Sequence, residues 1–331
     1  MPDLLEKIKT AGLVGRGGAE FPTVAKWQSV GASSDIDKYL ICNASEGEIG
    51  LFKDIFILEN YPEQVIDGMA QAMGYLKIKV AYFNINKKYY QRVGRLLKKI
   101  CYKYRKNGFE FRFFIEEPSY IGGEETAILN SIQGLRVEPR LKPPFPTEHG
   151  LFNQPTLIHN VETLFNISLV NDDLFENRRF YCLSGEIPNP GVFNFPADWS
   201  IKKVLKESKN WPDFEFFVQI GGSASGPVLN SGQLKQRVSG AGSIEVYPKN
   251  ISQKILFLRW LKFFKEESCG QCVPCREGSF QLYRLVKNCQ KIDKDQILAI
   301  CEVVRESSFC ALGKSISIPI ESYYKNIIQI R

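Results

Sequence analysis

Three observations predict an α/β protein built in three parts. Residues 1–170 alternate short apolar strands with helical stretches, and polar groups follow the first strand directly. Residues 171–248 are rich in strands around a single short helix, the composition of a β-grasp. Residues 249–331 are helical and enclose a dense run of cysteines. At 331 residues the chain is long enough for two or three cores.

The bulk composition excludes several classes. Apolar content of 44% and charged content of 24% are ordinary for a globular protein. The net charge is +7, but Lys and Arg are scattered, thickest over 87–112, with acids interleaved, so no nucleic-acid arm is expected. The basic surplus suits an acidic partner or an anionic cofactor, and equally a solvated basic surface. The most apolar helical stretch, 255–264, is short and broken by Arg259 and Lys262, so no membrane span is expected. Met1-Pro2-Asp3-Leu4-Leu5-Glu6 has no basic region leading into an apolar core, which argues against a secretory leader and for the cytoplasm. Nine cysteines, an odd number with four clustered, fit a reducing compartment and not a disulfide framework. Cys42, Cys101, Cys182, Cys289 and Cys301 read as buried or incidental thiols.

Along the chain, the first informative stretch holds Gly12, Gly15, Arg16, Gly17, Gly18, Ala19, Glu20 and Phe21. Such a loop lets backbone amides approach an anion closely, and Lys26 beyond it could add a point charge for phosphate. Many glycine loops are simply turns, and no strand precedes this one, so it is not the dinucleotide fingerprint. Residues 38–43 read as a buried strand that runs into Ala44-Ser45-Glu46-Gly47-Glu48, where α/β folds keep their ligand crevice. Carboxylates there can accept from ribose or a flavin ring; a solvated loop with a helix cap is the competing reading. A helix over 62–74, a strand over 78–83, a basic amphipathic helix over 89–104 and a strand over 109–115 follow. Gly122, Gly123, Glu124 and Glu125 then open a helix whose free amides could meet an acceptor. Arg140 to Pro146 form a stiff proline loop with two cations and Phe145, either a platform for adenine and phosphate or a rigid connector. Residues 154–163 are expected to begin a helix, with His159 neither ligand nor base.

In the middle part, strands are expected at 180–183, 191–195, 214–220 and 240–247, with a helix over 200–207 and an ordinary turn over 221–227. Helices follow at 255–267, 279–288, 293–307 and 315–328. Between them Cys269, Cys272 and Cys275 stand at three-residue intervals, with Gly270 and Pro274 holding a tight loop. Thiolates so spaced can converge on one metal centre, and Cys310, in Ser308-Phe309-Cys310-Ala311-Leu312-Gly313, is the candidate fourth ligand. Three close thiolates plus one remote suit a cubane [4Fe–4S] cluster. Zinc ribbons more usually pair two thiols with two distant ones. A structural zinc or a set of reduced thiols are the alternatives.

Taken in order, the Gly15-Arg16-Gly17-Gly18-Ala19 loop, Asn43 with Glu46-Gly47-Glu48 and Phe52-Lys53-Asp54, Gly123-Glu124-Glu125-Thr126-Ala127, Arg140 to Pro146, Asn160-Val161-Glu162-Thr163 and the cysteine run resemble one family. It is that of the flavin-bearing NADH-dehydrogenase subunit of respiratory complex I, the 51-kDa or F subunit. Relatives include NAD-linked hydrogenase and formate dehydrogenase subunits. The resemblance covers nearly the whole chain, from Gly12 to Gly313. It implies a Rossmann-like FMN domain, a ubiquitin-like β-grasp domain and a C-terminal helical bundle with an iron–sulfur cluster. By the same resemblance Gly15, Gly17, Lys26, Asn43, Glu46, Gly123, Glu124, Asn160 and Thr163 would contact FMN. Gly18, Phe21, Glu48, Glu125, Lys142 and Phe145 would line the NAD site, and Cys269, Cys272, Cys275 and Cys310 would ligate the [4Fe–4S] cluster. The activity implied is hydride transfer from NADH to FMN, then single electrons into the cluster, with no side chain acting as nucleophile or base. A small thioredoxin-like [2Fe–2S] subunit and a larger iron–sulfur subunit would be the partners, on the cytoplasmic face of a membrane complex, with no insertion.

This sequence departs from the family pattern where Glu20 and Val24 replace glycine, Ser45 an acid, Ile49 a proline, Leu51 a threonine and His159 an asparagine; Ser29 replaces an aromatic. A carboxylate at Glu20 is expected to disfavour a dinucleotide phosphate. The alternative is therefore a divergent paralogue that keeps flavin and cluster as an electron-relay or assembly module without oxidising NADH.

Overall fold

A computed structural model describes residues 3–35 and 37–328. Two compact units divide the chain: one holds the residues up to Gly47 and Phe52–Arg179, the other Glu48–Leu51 and the chain beyond Arg179.

The first unit is built on four parallel strands, β1 (Tyr39–Ala44), β2 (Val80–Asn86), β3 (Glu110–Glu116) and β4 (Thr156–Asn160), in the order β3-β2-β1-β4. Parallel neighbours need long crossovers, and helices supply them. Lys53–Asn60 and Pro62–Leu76 follow β1, Lys87–Lys103 follows β2, Glu125–Ile132 precedes β4, and Val161–Asn171 follows it. After β3 the chain passes back over β1, so the loops leaving β1 and β4 diverge. In such sheets the crevice for ligands opens at this reversal, outside the carboxyl ends of the strands. Register lays a row of asparagines across that edge: Asn43 pairs with Asn84 on one side and Asn160 on the other.

The strand β4 corrects the expectation that residues 154–163 begin a helix. Thr156 to Ile158 are fully covered or nearly so, and the helix starts only at Val161. Asn160 caps it by accepting from the Glu162 amide at 3.0 Å. The asparagine is therefore the punctuation between strand and helix. Helices Leu4–Thr10, Thr23–Ala32 and Lys53–Asn60 go beyond the sequence expectation; each is ten residues or fewer, too short for a clear apolar period.

The second unit carries a mixed sheet of β5 (Arg178–Gly185), β6 (Gly191–Pro196), β7 (Phe216–Ile220), β8 (Val228–Asn230) and β9 (Ser243–Pro248), in the order β6-β5-β9-β7-β8. Helix Ile201–Glu207 packs Ile201, Val204 and Leu205 onto it with Tyr181, Val218 and Ile244, the β-grasp arrangement. Helices Gln253–Glu267, Val273–Asn288, Lys294–Ser307, Ala311–Ser315 and Ser317–Tyr323 complete the unit. Trp260 anchors them: fully buried, it donates to Gln219 at 2.9 Å, and its loss would cost about 3–5 kcal/mol. The cysteine run is not wholly a loop as expected, because helix Val273–Asn288 already contains Cys275. Pro274 lies in its first turn, where its fixed φ favours the helix and the missing N–H costs nothing. The expected last helix is broken: Ala311–Ser315 and Ser317–Tyr323 are separate, and a wider π-turn spans Tyr324–Ile328. No described helix is long and apolar enough to cross a membrane.

Candidate functional site

In the first unit, the glycine loop is a closed tongue. Gly15 donates to the Phe21 carbonyl at 2.9 Å and Thr23 to Leu13 at 3.0 Å, which leaves Gly17, Ala19 and Phe21 exposed. Its base is tied to the helix after β4, where the Arg16 amide donates to the Thr163 hydroxyl at 2.9 Å. Gly17 lies against Asn160, and a Cβ there would stand 3.3 Å from the asparagine Cβ. The sequence-assigned Gly15, Gly17, Asn160 and Thr163 are thus brought together.

Asn43, at the end of β1, donates to the Gly123 carbonyl at 2.9 Å and accepts from the Ser45 amide at 3.1 Å. Any side chain at Gly123 would press to 2.9 Å from the Ser45 carbonyl oxygen. Glu124 caps helix Glu125–Ile132, accepting from the Thr126 and Ala127 amides at 2.9 Å. A charge ladder runs beside it: Lys26 meets Glu125 at 3.1 Å, and Lys142 meets Glu125 and Glu124 at 2.9 Å each. Burial works to raise the Glu125 carboxyl, but Lys26 and Lys142 outweigh it and hold it low. Phe145 is half exposed. Arg140 belongs to the scaffold instead, bonding Asn130 and Gln133 at 2.7 Å each.

Beneath the crevice is a buried ionic knot that sequence reasoning does not single out. Lys53 bonds Asp54 at 2.6 Å, Asn160 at 3.0 Å and Glu162 at 3.3 Å. Burial opposes its charge, yet Asp54, Glu162 and Glu46 together favour it and raise the ammonium above its ordinary value. Glu46 caps helix Lys53–Asn60 through the Lys53 and Asp54 amides and accepts from Tyr89 at 2.9 Å. Burial, with the Asp54 charge beside it, pushes its carboxyl up to about 8. The sequence signal is the Lys53-Asp54 pair at a helix start facing Glu162, which only the fold brings together.

Glu20 occupies a backbone position that suits glycine, and its carboxylate is placed otherwise than its expected effect requires. Its φ of 51° lies in the left-handed region that glycine adopts most readily. Its carboxylate, expected to repel a nucleotide phosphate, lies 3.4 Å from the guanidinium of the buried Arg179, 159 residues away. His159 sits on β4, accepting from Trp27 at 3.0 Å; burial and then Lys26 press it down to about 3, so it stays neutral. Ser29 bonds Thr147 at 2.8 Å.

In the second unit, Glu48 turns its carboxylate onto the 221–227 turn, accepting from the Ala224 amide at 2.9 Å, the Ser225 amide at 3.2 Å and the Ser225 hydroxyl at 2.7 Å. The other chemistry of this unit is sulfur. Cys272 and Cys310 stand at the starts of helices Val273–Asn288 and Ala311–Ser315. The Leu312 and Gly313 amides bond Cys310, whose thiol burial raises overall. Burial pushes the Cys275 thiol up to about 11, and the charges of Cys272, Cys310 and Cys269 add to it, while Ser268 at 3.5 Å opposes. Arg276 pins the loop by donating to the Gly270 carbonyl at 2.9 Å. Gly313 leaves room: a Cβ there would meet Cys275 Cβ at 3.1 Å and Ser308 Oγ at 2.3 Å. Among the described residues no three or more His, Cys, Asp or Glu side chains gather round a single metal position. Four cysteine sulfurs, one for each iron of a cubane, fit a cluster as a donor set once their thiols give up their protons to it.

Known proteins agree with both halves. The family model described as the Nuo51 FMN-binding domain matches residues 8–169, and that of the NADH-ubiquinone oxidoreductase-F iron-sulfur binding region matches 256–327. The chain is 33% identical to the second F subunit of the NADH-quinone oxidoreductase of Rhizobium meliloti, over 98% of this chain and 86% of that protein. It is 30% identical to the HndC subunit of the NADP-reducing hydrogenase of Solidesulfovibrio fructosivorans, over 97% and 73%. A solved NAD+-reducing [NiFe]-hydrogenase chain superposes with a TM-score of 0.91 at 26% identity; the match covers 98% of this chain but only 61% of that one.

Proposed function

The chain belongs to the family of the NADH-quinone oxidoreductase F subunit, whose members are oxidoreductase subunits with FMN and a [4Fe–4S] cluster as cofactors and NADH as substrate, and from that premise we propose that it oxidises NADH and delivers the electrons to an iron–sulfur partner. The observation that carries this reading is that the fold returns Cys310 to the Cys269–Cys275 run, with Gly313 packed on Cys275, inside the stretch matched by the iron-sulfur binding region. Bound FMN would supply hydride acceptance and one-electron release, and the cluster an outlet for single electrons.

The residues' own work is positioning and electrostatics. In this reading Asn43, Asn160 and Thr163 hold the crevice edge and the glycine tongue against the flavin. Lys26 and Lys142, already neutralised by Glu124 and Glu125, orient acceptors without adding net charge. Phe21 and Phe145 offer aromatic faces to the nicotinamide nucleotide, with Gly18 leaving the backbone open. The four thiolates hold the cluster. The next acceptors would be a small [2Fe–2S] subunit and a larger iron–sulfur subunit, in a peripheral arm on the cytoplasmic side of a membrane complex or in a hydrogenase-like assembly.

The alternative, a relay without nucleotide oxidation, rests on Glu20, with Val24 and Ser29 also bearing on the nucleotide side. The pairing of Glu20 with Arg179 weakens that objection and favours the enzyme. Purification without oxygen, followed by assay of iron, acid-labile sulfide and flavin, tests the reading. Four iron and four sulfide per chain with one FMN, the flavin bleaching on NADH, is the expected outcome; stoichiometric zinc without iron would falsify it.

A further inference from the structure

Glu116 is the last residue of β3 and the only buried one on that strand. Its carboxylate accepts from the Ser45 hydroxyl and, at 3.1 Å, from the Asn84 side-chain amide. The carbonyl oxygen of that fully buried Asn84 has no hydrogen-bond partner. Gly122 closes the pocket: a Cβ there would stand 3.1 Å from one carboxylate oxygen and 3.2 Å from the other. Ser45 and Gly123 touch each other and flank Asn43, so Glu116 supports the crevice edge from behind.

We propose that Glu116 is a proton-linked positioning residue of the flavin crevice: it holds Ser45 and the Ile121–Gly123 turn in place as the neutral acid, and FMN binding takes up a proton there from solvent. This rests on the flavin reading above. FMN brings a phosphate dianion, and a buried carboxylate with no cation against it opposes any anion nearby. The groups around Glu116 are the neutral Ser45 and Asn84, Ser119 and Gly122 after β3, and Glu117, which is exposed and paired with Lys87 at 2.7 Å. Glu46, next but one to the neighbouring crevice residue Ala44, and Asp54 are further acids of the region whose carboxyls burial raises. Burial pushes Glu116 up to about 7, with its two hydrogen bonds working the other way. Ionisation therefore falls in a range where binding can be followed.

The test uses the full chain with its cluster intact and its flavin removed, titrated with FMN by fluorescence quenching between about pH 7 and 9, above the second phosphate pKa of about 6. The wild-type Kd is expected to rise with a slope approaching tenfold per pH unit. Glu116→Gln, which mimics the neutral acid, should bind tightly and lose close to one proton from that slope. Glu116→Ala, without the hydrogen bonds, should bind weakly at every pH. Glu46 and Asp54 remain in both variants, so a slope unchanged in Glu116→Gln overturns the inference. Calorimetry in buffers of different ionisation enthalpy provides a second check: proton uptake by the wild type near pH 7.5 that falls in Glu116→Gln supports the inference, and zero uptake by the wild type, or uptake unchanged in Glu116→Gln, overturns it. A wild type that binds no FMN at any pH would instead overturn the flavin reading itself.

Discussion

The flavin crevice and the cysteine site handle charge in opposite ways. The crevice neutralises itself: Lys53 with Asp54 and Glu162, Lys26 and Lys142 with Glu124 and Glu125, and Glu20 with Arg179. The cysteine site instead has burial as its main electrostatic influence, which raises the Cys275 and Cys310 thiols and favours their protonated form. A preorganised crevice is stable before its ligand arrives, whereas a set of buried thiols gives up its protons only to the metal it binds. The first site should therefore tolerate cofactor loss, and the second should not.

The largest expected effect breaks the dependent site. Cys310→Ala should remove essentially all cluster iron and lower the melting temperature of the second unit, while FMN content is retained; iron assay and calorimetry read both. The next breaks the self-sufficient site. Lys53→Met leaves Asp54 and Glu162 facing each other in the interior, so urea denaturation should show a loss of about 3–5 kcal/mol. An unchanged midpoint would mean that the carboxylates carry their own protons.

A smaller contrast concerns the nucleotide side. The Glu20 side chain is 45% exposed, so its pair with Arg179 is worth no more than about 1 kcal/mol. Arg179→Gln should then raise the NADH Kd several-fold by freeing the carboxylate. Glu20→Gly should leave it nearly unchanged and relieve about 1 kcal/mol of left-handed strain. A marked tightening of NADH binding in Glu20→Gly would restore Glu20 as an obstruction.

The smallest effect is in pH. The folded-state carboxyl of Glu46 is raised to about 8, above the unfolded value near 4.3. Its contribution to stability is fully present below the unfolded value and is lost as pH rises through the folded one. Melting temperature should fall by about 2–4 °C between pH 6 and 8, and less in Glu46→Gln. A flat wild-type profile would contradict the burial argument.

How much of this is legible in the sequence follows from the range of each interaction. The cysteine run, the glycine loop and the polar exit from β1 are local, and their chemistry can be read directly. β4 escapes such a reading because five residues ending in a capping asparagine resemble the start of the helix they precede. Arg179 escapes it because nothing near Glu20 in the chain announces a partner 159 residues away. Glu116 ends a strand whose other residues are exposed or half-buried, so alternation gives no sign of a buried acid. Lys53 looks like a surface cation until the fold encloses it.

The most direct test is an oxygen-free titration of the holo-protein with NADH, followed by absorption and EPR. The flavin is expected to bleach and a reduced-cluster signal to appear in the same titration. Flavin and cluster that are both present, reducible by dithionite and silent to NADH would contradict it.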